Sequence, residues 1–223
     1  MNQIGQLILL LPVLILSLSV HEFSHGFVSH KLGDPTPANH NRLTLNPLAH
    51  LSLMGSLVLI LTRRFGWAKP VPIDPRYYKN PRKGMMLVSF AGPGSNFTLA
   101  LVFSLVFHIL AFMKNMNVEM IMGVLNNPQF NRNISGIMLI IFTVLFNAII
   151  INISLGIFNL LPVPPLDGSK ILRGVLPPRY DQYLAPLEGP MGMMILLLLA
   201  STGILIKILQ PIIGFITGLI LFL

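Results

Sequence analysis

Cysteine is absent from this 223-residue chain. That excludes disulfides and thiolate metal sites. Charge is scarce as well: 10% of residues are Asp, Glu, Lys or Arg, where a soluble chain carries roughly 25%. The length would permit one or two soluble domains, but long uncharged runs, 53% hydrophobic residues and a mean hydropathy of +0.75 argue for a multi-pass membrane protein. Acidic residues are fewest, seven against fifteen Lys and Arg, for a formal charge of +8. In a soluble protein that balance suggests nucleic acid. Here the basic residues flank apolar runs, so the membrane explains them and no nucleic-acid partner is expected. The N-terminal run also lacks a basic leader, so it reads as a retained helix rather than a signal peptide.

Five segments are candidate spans: about 4–31, 84–113, 134–160, 187–205 and 208–223. Each meets or approaches the roughly 20 residues that cross a bilayer, the last being the weakest by length. The expected fold is an all-α multi-pass membrane protein. Five to six transmembrane helices, with a small membrane-associated β/loop region, would surround an intramembrane metal site. A single domain would cover 1–223, with a core of about 1–185 and C-terminal helices over about 187–223.

Against that apolar background stands His21-Glu22-Phe23-Ser24-His25, an H-E-x-x-H motif. No charged side chain precedes it. Burying a glutamate and two histidines there is costly without partners, and a divalent metal is the obvious one. Helical residues four apart lie on one face, so His21 and His25 can point at the same ion. Glu22, turned about 100° from His21, flanks the metal and can move protons there. A zinc peptidase has this arrangement.

A catalytic zinc site needs a third protein ligand. The candidates are His30, His40, His50, His108, Asp34, Asp74, Asp167, Asp181, Glu119 and Glu188. Asp167 stands out because it directly follows an uncharged run. The plain alternative for it is an Asp-Gly turn with Gly168.

At these residues the chain resembles the site-2 proteases, intramembrane zinc metallopeptidases. His21 to His25 resembles their metal motif. Asn159-Leu-Leu-Pro162-Val-Pro164-Pro165-Leu166-Asp167-Gly168 resembles their N-x-x-P-x-x-P-L-D-G motif. Ala91-Gly92-Pro93-Gly94-Ser95-Asn96 resembles the small-residue and asparagine motif of the intervening helix. The resemblance covers roughly residues 5–185. It implies one Zn2+ held by His21, His25 and Asp167, with Glu22 as general base and acid. Asn159 would sit by the site and stabilise the oxyanion. Asn96 is either a substrate-binding residue or a helix–helix hydrogen bond. Gly92, Gly94 and Ser95 read as close helix packing. The chain looks like a minimal member, too short for an added PDZ or CBS domain. The implied partners are a transmembrane protein substrate and the bilayer; oligomeric state stays open.

Residues 43–62 are uncharged but interrupted by Asn46, Pro47, His50 and Gly55. For the histidines to meet Asp167, the stretch 32–83 must begin and end on one side of the membrane. The segment 43–62 is therefore expected to dip in or lie along the bilayer rather than span. Lys and Arg agree: nine lie within 31–83 and three within 161–186, against two within 114–133. The positive-inside rule puts the catalytic mouth on the cytoplasmic side of the cell membrane. Proline-rich Trp67 to Pro75 reads either as an extended edge that takes a substrate strand or as an amphipathic loop with interfacial Trp67, Tyr77 and Tyr78.

A metal transporter or metal-sensing membrane protein is the alternative function, since intramembrane His and Asp also mark ion pathways. Glu22 favours the peptidase, which needs a base beside the metal. A degenerate member acting only as a binder is disfavoured by the intact motifs.

Overall fold

The computed structural model describes residues 3–55, 57, 68–127 and 135–222, and these are almost wholly helical. Helix α1 (Gln3–Lys31) carries the H-E-x-x-H motif in its last third. Helix α2 (Pro81–Met113) starts at Asn80, whose side-chain oxygen accepts the Lys83 amide at 3.0 Å, with Pro81 at the first helical position. Helix α3 (Gly136–Asn159) is capped by Ser135, which accepts the Met138 amide at 3.3 Å. The short α4 (Asp167–Val175) follows a turn, and α5 (Pro190–Ser201) and α6 (Ile204–Phe222) close the chain.

Among the described residues, four helices are long and apolar enough to cross a membrane: Ile8–Lys31 within α1, α2, α3 and α6. The expected span at 187–205 is reduced to α5, whose 12 residues reach only about 18 Å at the helical rise. It becomes a fifth span only if joined to Pro178–Leu187 across a 71° bend. The segment expected to be weakest instead forms a full 19-residue helix, because α6 runs straight through Lys207.

The expected small sheet is not formed among the described residues. One antiparallel bridge, Leu51 to Ala68, stands in its place, with the Lys69 amide on the His50 carbonyl at 2.7 Å. Pro70, Pro72 and Pro75 have no amide hydrogen to extend a ladder. The same bridge brings the chain at Ala68 back beside Leu51. Trp67, Arg63, Arg64 and most of 56–62 lie outside the described residues, as do 128–134.

α2 is the central helix, packed against α1, α3 and α4. Its buried residues Val88, Gly92, Asn96, Ala100 and Ser104 recur every four positions, mostly small, which lets neighbouring helices approach closely. Further along, Phe107 meets Phe142 of α3 edge to face at 5.2 Å, a pair worth about 0.5–1.5 kcal/mol beyond its burial. Apolar side chains such as Leu101, Leu105 and Phe112 turn outward, as a span facing lipid requires.

A buried knot fixes the chain that follows α1. Asp34 accepts the Ser29 hydroxyl at 2.7 Å, the Asp74 amide at 2.8 Å and the Thr36 amide at 2.8 Å. Ser29 also bonds the Tyr78 hydroxyl at 2.7 Å. Burial pushes the Asp34 carboxyl up, but these hydrogen bonds outweigh it and hold it below its ordinary range. The knot ties 74–78 to the end of α1, and just before it Val71 lies against the metal motif.

Candidate active site

One helical turn separates His21 from His25, and their rings stand edge to face with centroids 4.6 Å apart. Asp167, first residue of α4, meets both. His21 Nε2 and His25 Nε2 are 3.0 Å apart, and each lies 3.2 Å from Asp167 Oδ2. All three side chains are nearly buried. The turn from Leu160 delivers Asp167 here, and Gly168 makes it feasible: a Cβ at 168 would fall 2.2 Å from the Leu160 carbonyl oxygen.

The ring tautomers follow from the partners. His25 Nδ1 donates to the Val88 carbonyl at 2.7 Å, which can only accept. His21 Nδ1 donates to Asn96 Oδ1 at 2.7 Å. Both Nε2 atoms therefore present lone pairs. Three acceptors converging within 3.2 Å repel one another unless a cation sits among them. A tetrahedral zinc with bonds of roughly 2.0–2.1 Å spaces its ligands by about 3.3 Å, so the cluster fits that ion. His21, His25 and Asp167 are the group among the described residues that could hold a metal.

Glu22 lies beside this cluster in sequence and is partly exposed. Its Oε2 accepts the Val71 amide at 3.0 Å. Gly26, one turn on, leaves room for that segment: its Cβ would sit 3.1 Å from Val71 Cγ1. Asn96 is fully buried, with its amide spent on His21, Asn152 and Ser17. Asn159 ends α3 and donates to the Leu155 carbonyl at 3.0 Å within its own helix. His30, His40, His50 and His108 each bond a backbone carbonyl away from the cluster.

Several residues at the site were not singled out by the sequence motifs as acting there. Gly92 is closest: a Cβ there would lie 2.5 Å from His25 Nε2 and 2.6 Å from His21 Nε2. Val71 and Val88 contribute only backbone, which no side-chain motif reveals. Asn152 had a signal, a polar side chain in the middle of an apolar span.

A buried cluster of two histidines and a carboxylate, set in a bundle of membrane-length helices, defines a membrane protein that holds a divalent metal. Residues 9–200 match peptidase family M50, and the chain belongs to that family, the site-2 proteases. It is 36% identical to YwhC of Bacillus subtilis, named as a candidate zinc metalloprotease, over 91% of this chain and 84% of that protein. It is 28% identical to Rip2 of Mycolicibacterium smegmatis, named likewise, over 91% of this chain and 70% of the relative. A zinc metalloprotease of Methanocaldococcus jannaschii is 23% identical over 75% of this chain and 34% of its own length. No solved structure matches the chain significantly. The family makes this chain a membrane zinc metalloprotease, with Zn2+ its cofactor.

Proposed function

We propose that this chain is an intramembrane endopeptidase that hydrolyses peptide bonds within transmembrane segments of other membrane proteins. The observation that carries this reading is the convergence of His21, His25 and Asp167 in a bundle of membrane-length helices, with Glu22 next to the first of them. His21 Nε2, His25 Nε2 and Asp167 Oδ2 would hold one zinc ion per chain. When bound, zinc polarises the scissile carbonyl and makes a water more acidic. Glu22 takes the proton the attacking water loses and returns it to the leaving amine. The Val71 amide orients the Glu22 carboxylate. Asn96 fixes the His21 ring, which is a positioning role rather than substrate contact. Asn159 releases Leu155 and offers its amide to the charge developing on the scissile oxygen. The extended stretch 68–74 is the edge against which an unwound substrate strand is laid. The whole of 1–223 works as one membrane domain.

Comparing membrane proteins from cells expressing the intact chain or Glu22→Gln tests this function. New termini inside apolar spans are expected only with the intact chain; identical terminus sets refute it. The ligand assignment predicts near-unit zinc in the purified protein and its loss in Asp167→Ala. Full zinc in that variant removes Asp167 from the set.

The charge asymmetry supports a metal-bearing mouth on the cytoplasmic side. Cysteines replacing Lys79 and Asn127 then label from opposite faces of intact cells. The chain has no native cysteine to compete. Labelling from one face overturns this topology.

A further inference from the structure

The two histidines are anchored differently. His25 Nδ1 bonds a backbone carbonyl, which the helix fixes. His21 Nδ1 bonds a side-chain amide, which can turn over and present nitrogen instead of oxygen. Something must hold Asn96 with its oxygen toward His21.

The structure supplies a polarised chain of hydrogen bonds behind it. Asn96 Nδ2 donates to Asn152 Oδ1 at 3.0 Å, and more weakly to the Ser17 carbonyl at 3.4 Å. Asn152 Nδ2 donates to the Ala148 carbonyl at 2.9 Å and to Ser17 Oγ at 2.9 Å. The Ser17 hydroxyl donates in turn to the Val13 carbonyl at 2.8 Å. A carbonyl cannot donate, so Ala148 fixes which end of Asn152 faces it. Asn152 then fixes Asn96, and Asn96 fixes His21. Asn152, Asn96 and Ser17 are all wholly buried, so no water substitutes for a missing partner.

We propose that Asn152 is a positioning residue for the metal site: it sets the orientation of the Asn96 amide and thereby keeps the His21 Nε2 lone pair aimed at the ion. Outer partners of metal-binding histidines typically matter by 10–100-fold in affinity. The inference rests on His21 being a ligand, as proposed above. A bland role is helix packing between α2 and α3, which Asn152 also serves.

The test uses the full-length protein in detergent. Zinc affinity is measured by chelator competition, and the visible spectrum is recorded after Co2+ replaces Zn2+. Asn152→Leu, close to isosteric, is expected to fold, to lose about tenfold or more in zinc affinity, and to shift the Co2+ bands. Ser17→Ala leaves Asn152 on the Ala148 carbonyl and is expected to keep wild-type affinity and spectrum. Asn96→Ala weakens zinc alone, and adding Asn152→Leu costs nothing further, because Asn152 acts through Asn96. If the leucine variant does not fold, Asn152→Ser serves; its hydroxyl still reaches the Ala148 carbonyl but falls short of Asn96. Wild-type zinc affinity and Co2+ bands in a folded Asn152 variant, or fully additive losses with Asn96→Ala, would overturn the inference. His21→Ala separates the layers: zinc retained there defeats the ligand reading itself, whereas zinc lost there but unaffected by Asn152 variants defeats only this proposal.

Discussion

Replacing Glu22 with glutamine is expected to leave zinc bound and the fold intact while cleavage of a transmembrane substrate collapses. The glutamine keeps the carbonyl oxygen that accepts the Val71 amide at 3.0 Å, so the segment over the motif stays in place. It removes none of the proposed metal ligands, His21, His25 and Asp167. Only basicity is lost. General acid–base catalysis is typically worth 10²–10⁴-fold, so the rate should fall at least about a hundredfold. His21→Ala and His25→Ala should instead lose zinc and activity together. Metal analysis alongside a cleavage assay on purified protein distinguishes the two patterns. Near wild-type cleavage by Glu22→Gln would contradict the mechanism even with zinc present.

The second large effect comes from a residue with no side chain. Gly92→Ala is expected to empty the metal site without touching a ligand. The new Cβ would lie 2.5 Å from His25 Nε2 and 2.6 Å from His21 Cε1 and Nε2. These imidazoles cannot swing aside freely, because Asn96 and the Val88 carbonyl hold their Nδ1 atoms at 2.7 Å. One ring or the helix must move, and two of the three ligand atoms lose their geometry. Zinc affinity should fall by at least about a hundredfold, the upper range for disturbing a histidine's support. Alanine favours helix over glycine by about 1 kcal/mol, so helicity should be retained. Near-unit zinc in Gly92→Ala, measured on folded protein, would show that α2 does not approach the histidines this closely.

How much of this was legible beforehand depends on how far each signal travels along the chain. The His21/His25 pair is local: a spacing of four on a helix brings the rings together wherever the helix sits. Asp167 was legible as a lone acid after an apolar run, and the structure brings it to 3.2 Å from both imidazoles. The spans at α1, α2 and α3 follow from long apolar stretches. The C-terminal boundaries were misread because Lys207 looked like a break, yet α6 passes through it. Among the described residues the expected sheet is reduced to one bridge, and Pro70, Pro72 and Pro75 already gave a reason for that in the sequence. What stayed hidden is contact between distant segments. The Val71 amide on Glu22 is a backbone donor with no side-chain signature. Gly92 looked like ordinary helix packing, and only the fold reveals that it packs against His21 and His25. Asn152 and Ser17 lie far from Asn96 in sequence, and no periodicity links them.

Cleavage by the purified protein in lipid vesicles, with the cut located by mass spectrometry, tests the central claim most directly. A membrane substrate found by comparing wild-type and Glu22→Gln cells is incorporated beside the enzyme. Cleavage should fall within the substrate's apolar span, stop when a chelator strips the zinc, and return when Zn2+ is restored. Cleavage that persists after the metal is removed would contradict the account. So would zinc passing through sealed vesicles at a rate indifferent to Glu22, with no peptide bond cut.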